Sequence, residues 1–116
     1  MSISWSFGEQ RGVAVMSVAG FLGSSAVDRF SEGFGWVAAR STGAVVLDLT
    51  ELLGWSTEGK TAVLQTAAVL GANERALAVC GLDRLEATHS WADQADSISV
   101  YPDLNSALDA HTAASG

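Results

Sequence analysis

The sequence predicts an α/β domain: a mixed, mostly parallel β-sheet of about five strands with about four helices, in the order ββαβαβ(α)βα. Three observations carry this expectation. Runs rich in β-branched residues alternate along the chain with segments whose apolar residues recur every three or four positions, the pattern of strands joined by crossover helices. One run, Ala44-Val45-Val46-Leu47-Asp48-Leu49, is apolar without alternation, as a central strand covered on both faces would be. At 116 residues, 48% of them hydrophobic, the chain has the length and apolar content for one core, so residues 1–116 are expected to form a single domain.

The elements follow in order. Ile3 to Phe7 alternates in type and Gly12 to Val18 is rich in β-branched residues. The polar Gly8-Glu9-Gln10-Arg11 between them predicts an antiparallel hairpin whose first strand is a candidate edge. Ala19-Gly20-Phe21-Leu22-Gly23 breaks the strand pattern, and Ser24-Ser25 offers a helix N-cap, Ser25 and Asp28 being spaced as a loose capping box. Val27, Phe30, Phe34 and Val37 then line one face of a helix ending near Arg40. Gly33 and Gly35 cost that helix about 1 kcal/mol each, which fits either close packing or a marginal helix.

After the buried strand, Thr57 to Leu70 supplies the crossover helix, with Lys60, Val63, Ala67 and Leu70 on one side, Leu64 and Ala68 flanking, and Gly71 as its stop. Ala76 to Cys80 is the next parallel strand. Leu82 to Ala92 has helical character, Ser97 to Val100 is a short strand, and Pro102-Asp103 opens a last helix with Leu104, Ala107 and Leu108 as its stripe. The chain contains no internal repeat or low-complexity segment.

Charge and composition narrow the function. Thirteen acidic residues against six basic ones give a net charge of −7, and the basic residues are scattered singly. Binding to nucleic acid or to an anionic membrane surface therefore has little electrostatic drive. No apolar run approaches the roughly 20 residues that span a bilayer, and the opening Met1-Ser2-Ile3-Ser4-Trp5 has no export-signal character, so a cytoplasmic protein without membrane insertion is expected. The single cysteine, Cys80, lies in an apolar strand and reads as a buried, inert thiol.

Chemistry-bearing patterns are missing. No glycine-rich phosphate loop follows any strand, and no serine sits on a nucleophile elbow. His89, His111 and Cys80 show no metal-ligand spacing. A non-enzymatic protein without a cofactor is expected. Trp36, Trp55 and Trp91 are expected in core or interface packing, with Trp55 the candidate interface anchor.

The informative stretch is Val45-Val46-Leu47-Asp48-Leu49-Thr50-Glu51-Leu52-Leu53-Gly54-Trp55-Ser56-Thr57-Glu58-Gly59. It resembles the signature of STAS domains, the family of bacterial anti-sigma-factor antagonists, in which a buried strand ending in Asp-Leu-Ser leads through a short loop to Asp-Ser-Ser-Gly at a helix start. Asp48-Leu49-Thr50 corresponds to the strand end and Ser56-Thr57-Glu58-Gly59 to the tetrapeptide. Val18 to Gly23 resembles the family's Gly-Glu-Leu-Asp turn, and Tyr101 to Leu108 its C-terminal helix start, so the resemblance spans nearly the whole chain.

The resemblance implies a STAS-like domain that regulates transcription by binding a protein. Its partner would be an anti-sigma factor or serine kinase of the histidine-kinase-like ATPase class, which binds the unmodified form and releases the phosphorylated one. By position Thr57 is the phosphoacceptor candidate, with Ser56 the second choice, and Trp55, Ser56, Thr57, Glu58, Gly59 and Lys60 are the partner-binding candidates. Ser56 replaces the family's aspartate and Glu58 its second serine. Glu58 either mimics part of a phosphate's charge or stabilises the first helical turn, and Ser56-Thr57 also suits a plain N-cap. Two alternatives keep other roles open: a STAS regulator of an ABC-transporter ATPase subunit or phosphorylation-independent scaffold, and a small-ligand or nucleotide sensor.

Overall fold

The computed structural model describes residues 3–81 and 98–112. Its sheet opens with the expected hairpin: β1 (Ile3–Gln10) and β2 (Val13–Leu22) pair antiparallel from Ile3↔Gly20 to Gln10↔Val13. Arg11 and Gly12 form the two-residue turn with φ of 55° and 79°, the left-handed backbone that a hairpin turn needs. Because this turn takes only two residues, the polar Gly8-Glu9-Gln10 is strand, not connection. At the other end, β2 runs through Ala19–Leu22, where side-chain alternation fails but backbone pairing continues.

That extension of β2 has a consequence. Parallel to it lie two strands end to end: β3 (Val45–Asp48) beside Ala14–Ser17, and β4 (Leu52–Trp55) beside Gly20–Leu22. β5 (Leu77–Cys80) pairs parallel with β3, and β6 (Ile98–Tyr101) with β5. The order is β1-β2-β3-β5-β6 with β4 on β2, six strands among the described residues, the first hairpin antiparallel and the rest parallel. β4 is the strand that the sequence pattern leaves as a loop. It is four residues long and Leu53 is extra in its register with β2, so no period of two is visible.

Helices cover both faces. α1 (Val27–Ala39) and α2 (Thr57–Ala72) pack on one face, where Phe30, Phe34, Val37, Val63, Ala67 and Leu70 meet Met16, Val18, Val45, Leu47, Leu77 and Val79. α3 (Leu104–Thr112) packs on the other, placing Ala107 and Leu108 on Val13, Val15, Val46, Ala78 and Cys80. The non-alternating strands β3 and β5 are thus sandwiched, as their composition predicts. The helical segment read at Leu82–Ala92 lies outside the described residues.

Helix ends depart from the simple cap readings. Ser24–Ala26 form a 3₁₀ turn and α1 begins after Ala26, so the Ser25–Asp28 capping box does not set its start. α2 runs through Gly71 to Ala72, with Asn73 as its C-cap; Glu74, with φ 59°, takes the left-handed position instead. The Arg75 N–H donates to the Leu70 carbonyl at 2.8 Å and the Glu74 N–H to that of Gly71 at 3.0 Å, the paired bonds of a Schellman cap. The Arg75 guanidinium then donates to the carbonyls of Gly43 and Ala38 and to the Ser41 hydroxyl at 2.7–3.0 Å, placing a cation at the C-terminal end of α1.

Candidate functional site

The candidate site lies where β4 ends and α2 begins, and backbone contacts fix it against β2. The Leu22 carbonyl accepts from the Ser56 N–H at 3.0 Å. Gly59, one turn into α2, is buried directly against that carbonyl: a Cβ there would stand 2.2 Å from the Leu22 oxygen. Only glycine allows the first turn of α2 this close to the end of β2.

Upstream, Asp48 shapes the path into β4. Its Oδ1 accepts from the Thr50 N–H at 3.0 Å and the Thr50 hydroxyl at 2.6 Å, folding Asp48-Leu49-Thr50 into a turn. The same oxygen accepts from the Cys80 thiol at 3.7 Å. Gly81, at φ +82°, passes so close that a Cβ would lie 2.5 Å from the Thr50 nitrogen. The strand-end aspartate therefore acts as a turn-former here.

Ser56 is the N-cap of α2: its backbone is extended and its hydroxyl accepts from the Gly59 N–H at 3.2 Å. Glu58 accepts from its own backbone N–H and from the Ser56 hydroxyl, which together hold its carboxyl below the ordinary carboxylate range. Ser56 is thus engaged as acceptor and donor. Thr57, by contrast, is exposed at the first helical position. It borders a groove of about 480 Å³ between α1 and α2, lined also by Ser24, Asp28, Glu58, Thr61 and Gln65.

Trp55 is half-buried against the main core, and the Lys60 ammonium lies 5.8 Å from its ring centroid. That distance is within cation–π range. Two residues the sequence reading passed over join this surface. Leu53, the extra residue of β4, is 70% exposed, and Phe21 is 37% exposed. The Phe21 ring lies across Gly23 and Gly54, where added Cβ atoms would come within 2.8 and 3.1 Å of it. Gly54 therefore makes room for an aromatic ring; the signal for it was a glycine paired in register with Phe21, visible only once β4 is recognised.

Of the candidates, Trp55, Ser56, Thr57, Glu58 and Lys60 reach the surface while Gly59 serves packing. Cys80 is buried, and burial, followed by the neighbouring Asp48, pushes its thiol up to about 12. Trp36 is exposed on α1, His111 lies in α3, and His89 and Trp91 fall outside the described residues. Among the described residues no group of three or more His, Cys, Asp or Glu side chains gathers as a metal site, and no helix is long and apolar enough to cross a membrane.

An antiparallel hairpin continued by parallel strands, with α1 and α2 on one face and α3 on the other, defines an α/β domain of the SpoIIAA-like class. Solved structures share it. An anti-sigma factor antagonist from Mycobacterium paratuberculosis superposes with a TM-score of 0.77 at 24% identity, over 94% of this chain and 93% of that one. The anti-sigma factor antagonist SpoIIAA in its unphosphorylated form gives 0.66 at 13% identity, over 92% and 96%. The murine anion transporter Slc26a9 gives 0.70 at 13% identity, over 92% of this chain and 18% of the transporter's. No protein-family model and no curated protein matches the sequence. The chain has the STAS fold of the anti-sigma factor antagonists.

Proposed function

We propose that the chain is a regulatory binding protein of the anti-sigma-factor-antagonist type, docking through the β4–α2 junction and released from its partner by phosphorylation of Thr57. The observation that carries the reading is the division of labour between adjacent hydroxyls: Ser56 caps the helix while Thr57 stands exposed at its first position. A phosphoryl group on Thr57 would add about −1.5 to −2 charge at the first position of α2, the positive end of the helix dipole. It would also sit next to Asp28 and Glu58, so the groove that a partner meets would change sharply in charge.

The partner is an anti-sigma factor or serine kinase of the histidine-kinase-like ATPase class, and Trp55, Phe21 and Leu53 supply the apolar contact. The test is titration calorimetry against such a partner. Thr57→Asp should weaken binding at least roughly tenfold, and Thr57→Ala should lose kinase labelling that Ser56→Ala retains. Unchanged affinity with Thr57→Asp would overturn the surface. A second reading, phosphorylation-independent docking on a transporter ATPase subunit, is favoured by the carboxylates already flanking Thr57. It expects binding without any labelling of Thr57.

A further inference from the structure

We propose that the chain pairs with a second copy of itself through the outer edge of β1 and the exposed stripe of α1, about a two-fold axis passing Ser6 and Trp36. β1 is at the end of the sheet, and among the described residues nothing pairs with its outer side. Proteins usually guard such an edge with proline, lysine or a bulge. β1 has none of these over Ile3–Gln10: its ladder to β2 is regular and its one charge is Glu9.

Backbone parity fixes how two such edges meet. The two-residue turn makes Gln10 and Val13 a hydrogen-bonded pair, so Ser4, Ser6, Gly8 and Gln10 exchange bonds with β2. Ile3, Trp5, Phe7 and Glu9 then direct their N–H and C=O groups outward. An antiparallel second copy centred on Ser6 sets Trp5 against the other Phe7, and Phe7 against the other Trp5, with outward-facing groups meeting on both sides. The edge is complementary to itself, as a two-fold interface requires.

The helix above carries the same centre. The Trp36 ring centroid lies 5.9 Å from that of Trp5 and 5.3 Å from that of Phe7, which puts Trp36 level with Ser6. Trp36 is 41% exposed. Glu32 and Arg40 stand one helical turn to either side of it, both exposed, on the same stripe. An antiparallel α1 from the second copy therefore brings Glu32 opposite Arg40 twice. The Arg40 guanidinium already lies over the Trp36 ring, 3.8 Å from its centroid, so its charge is held at the seam. Beside Glu32 a hollow of about 350 Å³, bounded by Trp5, Gly33, Trp36 and Arg29, gives an incoming arginine stem room.

Spacing permits both contacts at once. α1 packs over β1 and β2 together. With strands about 4.8 Å apart, helices set half a strand spacing inside each edge come to about 10 Å, the usual helix-packing distance. The interface shares no lining residue with the groove beside Thr57, so a dimer would present two such grooves.

Sedimentation equilibrium over a wide concentration range, at near-physiological salt, tests the pairing. The wild type should show a monomer–dimer equilibrium. Glu32→Arg and Arg40→Glu should each raise the dimer Kd roughly tenfold, because each replaces two attractive pairs with two repulsive ones. The double variant should restore the dimer to within about threefold of wild type, since the pairs re-form with reversed sign. Far-UV circular dichroism and melting confirm that each variant is folded. A wild type that stays monomeric, single variants that dimerise normally, or a double variant that fails to recover would each overturn the proposal.

Discussion

The adjacent hydroxyls of Ser56 and Thr57 have the same chemistry but different surroundings. Ser56 accepts from the Gly59 N–H and donates to Glu58; Thr57 faces the groove. Ser56→Ala should therefore cost about 1 kcal/mol of stability, the usual loss of an N-cap, while Thr57→Ala should stay within about 0.5 kcal/mol. Urea unfolding of the two variants separates these outcomes, and equal losses would mean that Thr57 also supports the helix. From sequence, either residue could be the cap. The distinction depends on one residue's backbone angles, φ −98° and ψ 176° at Ser56, and no composition signal encodes them. Asp48 is similar: its place at a strand end was legible and its bonds to Thr50 are local, but its contact with Cys80 depends on the return of β5 beside β3.

At the scale of elements, legibility follows side-chain size. The stripe of α1 was readable because Phe30, Phe34 and Val37 are large and correctly spaced, and they are buried as expected. The buried face of α2 is turned toward Gly59, Ala62 and Thr66, with Val63, Ala67 and Leu70. Small residues carry little hydropathy signal, and Thr66 reads as polar although its hydroxyl is satisfied by the Val63 carbonyl at 2.6 Å. Lys60 consequently sits at the margin of that face, half-buried. The glycines sort the same way. Gly33 admits the Trp5 ring, 2.5 Å from where a Cβ would be, whereas Gly35 faces open space. Gly35→Ala should stabilise the protein by roughly 0.5–1 kcal/mol through helix propensity. Gly59→Ala should destabilise it by roughly 1–3 kcal/mol, because the methyl meets the Leu22 backbone rather than a side chain that can turn away. Thermal melts of the pair, expected to shift in opposite directions, check that close approach and not helical position decides a glycine's role.

At the scale of the whole molecule, the alternation of strands and helices was sufficient to read a mixed, mostly parallel sheet, since crossover connections leave few topologies. β4 escaped because it is created by the length of β2, a long-range property. The same long-range assembly buries Cys80 between β3, β6 and α3, beside Asp48, and makes global stability depend on alkaline pH. The folded thiol ionises at about 12, against an ordinary value near 8.5 in the unfolded chain. A folded-state value raised in this way favours the native state fully below the unfolded value, and the advantage disappears as pH rises toward the folded one. Between about pH 9 and 12 the unfolded chain has lost a proton that the native state keeps, so stability should fall by up to about 1.4 kcal/mol per pH unit from this group alone. Exposed Glu58 and Asp103, both held below the ordinary carboxylate range, act at the opposite end: their support is present at neutral pH and is lost as acid protonates them in the folded state. Cys80→Ala isolates the alkaline effect. It should cost stability at pH 7 through the lost packing, yet its stability should fall less steeply than that of the wild type from pH 9 to 10.5 in urea titrations. Parallel curves over that range would show that the thiol ionises in the native state about as readily as in the unfolded chain, and that its contact with Asp48 does not hold the proton.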